Sequence, residues 1–276
     1  MWVAGNPPMM RGRDDLALVT VRYLMPARAA TVKPRYPPVM RQSMAGLAST
    51  LRAVGVAIAV MIAVPGVTHA APDCNVKRNL VNADLSGCDL SGVDLTGAIM
   101  SGVTLYNADL TGAILVGADL TKATLRGAGL SYADLSGANL TRATMRDADL
   151  FGATLTGANL TGVFVPASTF WHAEMAGANL TNAKLSDSNL SGANLRGAIL
   201  VGTELSRVSL RSANLDGANL SRAILFQSDL TRASFSQANL SGADLTDAAL
   251  FDTTFTGANM SDAILTGAKG YVPLPV

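Results

Sequence analysis

The sequence predicts an all-β solenoid, a chain that turns a corner every few residues and coils around a thin apolar centre. Three observations predict it. From Leu80 to Leu265 every fifth residue is apolar, with no slip in phase. Leu fills 30 of these 38 positions, and Met100, Met145, Val165, Phe170, Met175, Phe235, Phe255 and Met260 fill the rest, so the register is strict. Two residues before each stands a small residue, most often Ala, as at Ala83, Ala108, Ala113, Ala118 and Ala123. After most comes a polar residue and commonly Gly, as in Ser136-Gly137 and Thr156-Gly157.

A period of five suits neither a helix, which needs apolar residues every 3.6, nor a strand, which needs them every 2. On an α-helix, steps of about 140° would scatter the leucines around the axis and leave no face to bury. The chain must instead turn once per repeat. Leu then points inward, the preceding Ala fits the tight inner corner, and the other three positions face water. Glycine suits the turn because it adopts positive φ without a Cβ penalty.

Four segments carry a family resemblance: Ala83-Asp84-Leu85-Ser86-Gly87, Ala133-Asp134-Leu135-Ser136-Gly137, Ala193-Asn194-Leu195-Arg196-Gly197 and Ala243-Asp244-Leu245. They resemble the repeat unit of the pentapeptide repeat family, and the likeness covers about two thirds of the chain. It implies a right-handed, four-sided (quadrilateral) β-helix of about nine to ten coils over residues 80–269. Residues twenty apart would then stack at a strand-like spacing of ~4.8 Å.

The flanking segments read differently. Residues 1–43 mix six prolines with Arg11, Arg13, Arg22, Arg28 and Lys33, and no hydrophobic period survives. They read as a disordered extension, or as sequence upstream of a true start at Met44. Residues 44–70 read as a secretory signal peptide: Arg52 gives the positive flank, Ala53 to Val64 is unbroken apolar, and Pro65-Gly66 ends the run. Thr68-His69-Ala70 supplies small residues for cleavage after Ala70, and the run is shorter than the ~20 residues of a membrane span. An uncleaved anchor is the other reading. Residues 71–79 form a lead-in, and 270–276 a short tail whose Pro273 and Pro275 can blunt an exposed edge. The charge divides at the same place: eight basic residues face two acids before residue 71, and thirteen face eighteen after it.

The two cysteines lie at the start of the repeats. Cys74 is in the lead-in and Cys88 takes an inward Ala slot. Export would place them in an oxidising compartment, where a Cys74–Cys88 bridge would tie the lead-in across the first coil. The other reading of Cys88 is a small core residue with a free thiol.

Enzyme chemistry is excluded on inventory. After the signal there is one histidine, His172, with no cysteine or carboxylate cluster at metal-ligand spacing. The serines and threonines occupy repeat positions without a general base, and the glycines recur for turns rather than around a phosphate. No metal and no cofactor are expected.

Function must therefore lie on the outward columns. Column reading expects Arg207 over Asp187, Arg232 with Asp252 and Arg196 beside Asp216 as ion pairs, and Asn139, Asn159 and Asn179 stacked so that their amides bond along the ladder and to turn backbone. It leaves Lys122 over Arg142 and Arg126 over Arg146, between Tyr106 and Pro166, as a basic corner without column counter-charges, a candidate partner contact; the bland reading is a solvated surface of splayed long side chains with Asp147 nearby. The least regular repeats, Val163 to Met175, add a second candidate: Phe151 and Trp171 one coil apart, with His172 beside them and Phe164 and Pro166 on the neighbouring face. Exposed aromatics on a solenoid are candidate contact points; the bland reading is a local packing variation.

The expectation is an exported bacterial scaffold, non-catalytic, binding a protein partner or itself through the coil ends. Nucleic acid is not an expected partner, and the mature chain would have no membrane span. The alternative rests on family members that mimic DNA, bind DNA gyrase and protect it from quinolones in the cytoplasm. Their C-terminal helical cap has no counterpart here, and Asp84, Asp89, Asp94, Asp109, Asp119 and Asp134 are spread over four faces rather than one acidic stripe.

Overall fold

The structure, a computed structural model, describes residues 79–270. The expected extension, the signal segment, the lead-in with Cys74 and the tail beyond Gly270 lie outside the described residues.

Within them the chain makes one turn every five residues and pairs with itself through single-residue parallel bridges between residues twenty apart, from Asn79↔Ile99 to Ala249↔Lys269. Four turns therefore make one circuit. Leu90, Leu110, Leu130 and Leu150 stack as one inward column, each fully or almost fully buried. The alanines two residues before each leucine are buried with them, so one continuous core runs up the stack.

The repeat motif follows from the demands of its backbone N–H groups, which must all find partners. In the repeat around Leu135, the Leu135 N–H donates to Thr154 O in the next coil at 2.7 Å, and the Gly137 N–H to Thr156 O at 2.9 Å. The Asp134 N–H donates back to Ala113 O at 2.9 Å, and the Ala138 N–H closes a turn onto Leu135 O at 3.0 Å. Only the Ser136 N–H is left, and Asp134 Oδ1 accepts it at 3.0 Å. That is why Asp or Asn precedes the leucine: its side chain caps the one amide that neither neighbouring coil reaches.

The same logic shows both expected uses of the Asn column. Asn139, Asn159 and Asn179 use Oδ1 to accept the N–H two residues on, at 3.0–3.2 Å. Asn-to-Asn bonds occur elsewhere in that column, where the Asn239 amide donates to Asn219 at 3.3 Å and the Asn259 amide to Asn239 at 3.2 Å.

Each turn needs positive φ at its third residue, the requirement of a type II turn. Glycine fills only part of these corners. Lys122, Tyr132, Arg142, His172, Arg207 and Arg222 hold φ of 56–59° there as well. L-residues in this region carry a steric cost of roughly 1–2 kcal/mol each. The stack imposes it because the corner N–H must point up to the next coil.

The buried small-residue column also takes hydroxyls. Ser168, Ser188, Thr203 and Ser228 are buried, and each donates to a carbonyl of the coil below, for example Thr203 Oγ1 to Leu180 O at 2.8 Å.

A run of rings on one corner of the stack

Three adjoining coils put aromatic rings side by side at one corner. Tyr132 and Phe151 meet edge to face with centroids 5.1 Å apart and planes at 87°. Phe151 and Trp171 follow at 5.4 Å and 57°, and Trp171 and His172 at 5.1 Å and 31°. Tyr132 is 63% exposed and Trp171 47% exposed, while Phe151 is half-buried between them.

The backbone builds this run in two ways. Phe151 and Trp171 occupy the first outward position of the corner, where their N–H groups are capped by Asp149 Oδ1 at 3.0 Å and Thr169 Oγ1 at 3.4 Å. Tyr132 and His172 occupy the positive-φ position, with φ of 59° and 56°. From there each ring folds over the corner of the next coil, which is glycine in both cases. A Cβ on Gly152 would stand 3.0 Å from two carbons of the Tyr132 ring, and one on Gly192 would stand 2.6 Å from the His172 ring. The rings and these two glycines are therefore a matched set.

Tyr132 joins the run although column reading passes over it. It lies nineteen residues before Phe151, one column across rather than directly below. Adjacent outward columns share a corner, and that is the signal that could have found it. Phe164 is 41% exposed and Pro166 half-buried on the neighbouring face. Among the described residues no ring contact joins Phe164 to the run.

Past His172 the corner falls away. The next coil presents Ser191-Gly192 and the one after it Arg211-Ser212, leaving a hollow of about 420 Å³ above Trp171. Ser191 Oγ lies 2.8 Å from Ser209 Oγ, and its N–H is capped by Asn189 Oδ1 at 3.0 Å. Arg211 donates from Nη1 to Asp229 Oδ2 at 2.7 Å. Burial pushes the Asp229 carboxyl up, but hydrogen bonds from Thr231 and Arg211 outweigh it and hold it below the ordinary carboxylate value.

At the basic corner the counter-charge comes from the Asp147 of the bland reading. Asp147 sits between Arg126 and Arg146, with its Oδ2 at 3.8 Å and 3.5 Å from their Nε atoms, so these two have a counter-charge one column across. Arg126 also lies over the Tyr106 ring, 6.0 Å from its centroid. Among the described residues Lys122 and Arg142, on the previous corner, make no ion pair.

Of the three expected column pairs, Arg207–Asp187 is a close fork at 2.6 Å and Arg232–Asp252 is loose at 3.9 Å. Arg196 does not pair with Asp216. That carboxylate accepts instead from the Ser234 hydroxyl and from the Ser236 N–H at 3.1 Å, closer donors held by the next coil.

Cys88 is buried in its inward slot and is not a free thiol; Cys74 lies outside the described residues. Among the described residues no three His, Cys, Asp or Glu side chains gather to hold a metal, and no helix is long and apolar enough to cross a membrane.

Comparison with known proteins places this architecture. The family described as Pentapeptide repeats matches in eight copies, over residues 79–115, 105–142, 128–165, 167–200, 188–225 and 228–267. The crystal structure of HetL, a pentapeptide repeat protein involved in heterocyst differentiation regulation from the cyanobacterium Nostoc sp. strain PCC 7120, is 29% identical. The match covers 83% of this chain and 98% of HetL at a TM-score of 0.51. QnrB1, a plasmid-mediated fluoroquinolone resistance protein, is 22% identical over 59% of this chain and 83% of its own, at a TM-score of 0.38. Rfr23 from the cyanobacterium Cyanothece 51142 is 27% identical over 48% of this chain and 61% of its own, at a TM-score of 0.24. No curated protein matches the chain.

Proposed function

This chain belongs to the pentapeptide repeat family, built as a right-handed β-helix, and on that premise we propose that it is an exported, non-catalytic scaffold that engages a partner through the Tyr132–Phe151–Trp171–His172 corner. The four-sided stack of nine to ten coils over residues 80–269 is its rigid body. Residues 44–70 are its signal peptide and 71–79 its lead-in. The coil ends are a second route by which copies could meet.

The observation that carries the reading is the run of contiguous rings at one exposed corner. Aromatic side chains in such clusters supply most of the binding energy at protein contacts. The rings are held on rigid backbone rather than on a loop, so little order is lost on binding. The carboxylates support a scaffold over a DNA mimic: Asp84, Asp89, Asp119 and Asp134 stand in four different columns of the stack rather than in one acidic stripe.

Cell fractionation with N-terminal sequencing tests export, and a mature chain beginning at Ala71 outside the cytoplasmic membrane is the expected result. A cytoplasmic chain retaining residues 44–70 overturns it. The contact surface is tested by Trp171→Ala with Tyr132→Ser. Crosslinking and light scattering on this variant should show loss of association with the partner, or with a second copy, while the melting temperature is kept.

A further inference from the structure

The corner that carries Phe151 and Trp171 ends in a step. Three coils bear large rings, the next bears only Ser191 and Gly192, and the one after bears Arg211 and Ser212. The hollow between them is one coil deep, floored by small residues, with the Trp171 and His172 rings on one side and Arg211 on the other. Its volume is about 420 Å³, and it is an open dent that would hold a guest by one face rather than enclose it.

The lining is mostly apolar, and its polar groups are electrically balanced. Arg211 is matched by Asp229 at 2.7 Å, so the hollow carries no unbalanced positive charge to favour an anion. Free donors remain around the rim: among the described residues the Asn189 side-chain amide and the Ser212 hydroxyl donate to nothing, and Arg211 bonds through Nη1 alone. A wholly apolar guest would strip water from these groups and return no hydrogen bond. The site therefore suits a neutral molecule with one apolar face, to lie against an exposed indole, and a rim of hydroxyls. That is the chemistry of a pyranose. Successive coils are ~4.8 Å apart, close to the length of one sugar unit, so the hollow admits one ring with a second reaching along the corner.

We propose that the hollow beside Trp171 is a binding site for a neutral sugar, with one ring stacked on the indole and its hydroxyls bonded to Asn189, Arg211 and Ser212. The inference rests on the reading of this corner as a contact surface and gives that surface a ligand.

The chain has two tryptophans, Trp2 and Trp171. The full chain carrying Trp2→Phe therefore reports on the site by Trp171 fluorescence alone. It is titrated with cellobiose, maltose and diacetylchitobiose, and retention on insoluble cellulose and chitin is measured beside it. The expected result is a saturable change in Trp171 emission with at least one of the sugars at millimolar concentration. Soluble binding without retention points to a free sugar and retention to a polymer; both support the proposal.

Ser191→Phe then fills the hollow. It continues the column in which Phe151 and Trp171 already stand, so the fold accepts it, which an unchanged melting curve checks. Sugar affinity should fall about tenfold or more. Absence of saturable binding by all three sugars overturns the proposal, as does equal binding by the Ser191→Phe chain or tighter binding of inorganic phosphate or phenol. If the sugars fail while Trp171→Ala still abolishes association with the partner, the sugar inference falls and the contact surface stands. If both fail, the surface reading falls too.

Discussion

Arg207 grips Asp187 fork on fork across one coil, Nε to Oδ1 at 2.6 Å and Nη2 to Oδ2 at 2.8 Å. The stacking repeat puts the two corners in register, and both hold positive φ, 56° and 64°. The hydrogen bonds from Arg207 hold the Asp187 carboxyl below its ordinary value against a small opposing effect of burial.

A depressed folded value fixes the sign of the pH dependence. The pair's contribution is fully present above the unfolded carboxyl's value, about 3.9, and is lost as pH falls through the lower folded value. In Arg207→Gln, carbon-detected NMR titration should show Asp187 moving up toward ordinary aspartate. The difference in melting temperature between the two chains should be small, since the pair is solvent-exposed, and should vanish in strong acid. An unmoved Asp187 titration would contradict the geometry.

Gly152 and Arg222 test what the corners tolerate. Both hold positive φ, 60° and 58°, but only Gly152 has a ring lying over it. Gly152→Ala should lose about 1–2 kcal/mol from the left-handed backbone, with a further loss as Tyr132 is pushed off its seat against Phe151. Arg222→Gly removes a steric cost while loosening the unfolded chain, and the net change should stay within about 1 kcal/mol. Urea melts of the two variants give the ordering directly.

Cys88 stands where other coils place alanine, and it is not a free thiol. The expected partner is Cys74, fourteen residues earlier in the sequence. Closing a loop of that size contributes roughly 3 kcal/mol on the chain-entropy account. Intact mass with and without reductant should differ by two hydrogens, and reduction should lower the melting temperature of the parent but leave Cys74→Ser/Cys88→Ala unchanged. Two alkylatable thiols in the unreduced, unfolded chain would remove the bridge.

The coil was legible because one inward residue in five leaves no other way to bury Leu130 or Leu180. Pairs directly above one another were legible for the same reason, as Arg207 and Asp187 show. What column reading missed lies on diagonals. Arg211 reaches Asp229 across eighteen residues, and Tyr132 reaches Phe151 across nineteen. A side chain at a corner leans toward either adjoining column, and sequence spacing alone does not say which. Arg196 lost Asp216 to competition: a short serine hydroxyl and a backbone N–H are already placed by the coil, whereas a long arginine must give up rotamer freedom to arrive.

Ser188 offers the sharpest test of how the irregular repeats are held. At the Val165-Pro166-Ala167-Ser168 corner the usual turn bond, from the fourth N–H to the first carbonyl, is replaced by a hydroxyl inserted from the next coil. Ser188 Oγ donates to Val165 O at 2.9 Å and accepts from the Ser168 N–H at 3.2 Å. Ser188→Ala would leave a buried donor and a buried acceptor without that bridge, a loss of about 1–3 kcal/mol. Ser228→Ala, by contrast, removes a donor from Leu205 O, which keeps its turn bond from the Val208 N–H at 3.3 Å. Its cost should be no more than about 1 kcal/mol. Denaturant midpoints should therefore fall clearly for Ser188→Ala and little for Ser228→Ala. Hydrogen exchange at the Ser168 amide should accelerate only in the first variant, and equal effects would mean the turn at Pro166 closes on its own once the hydroxyl is gone.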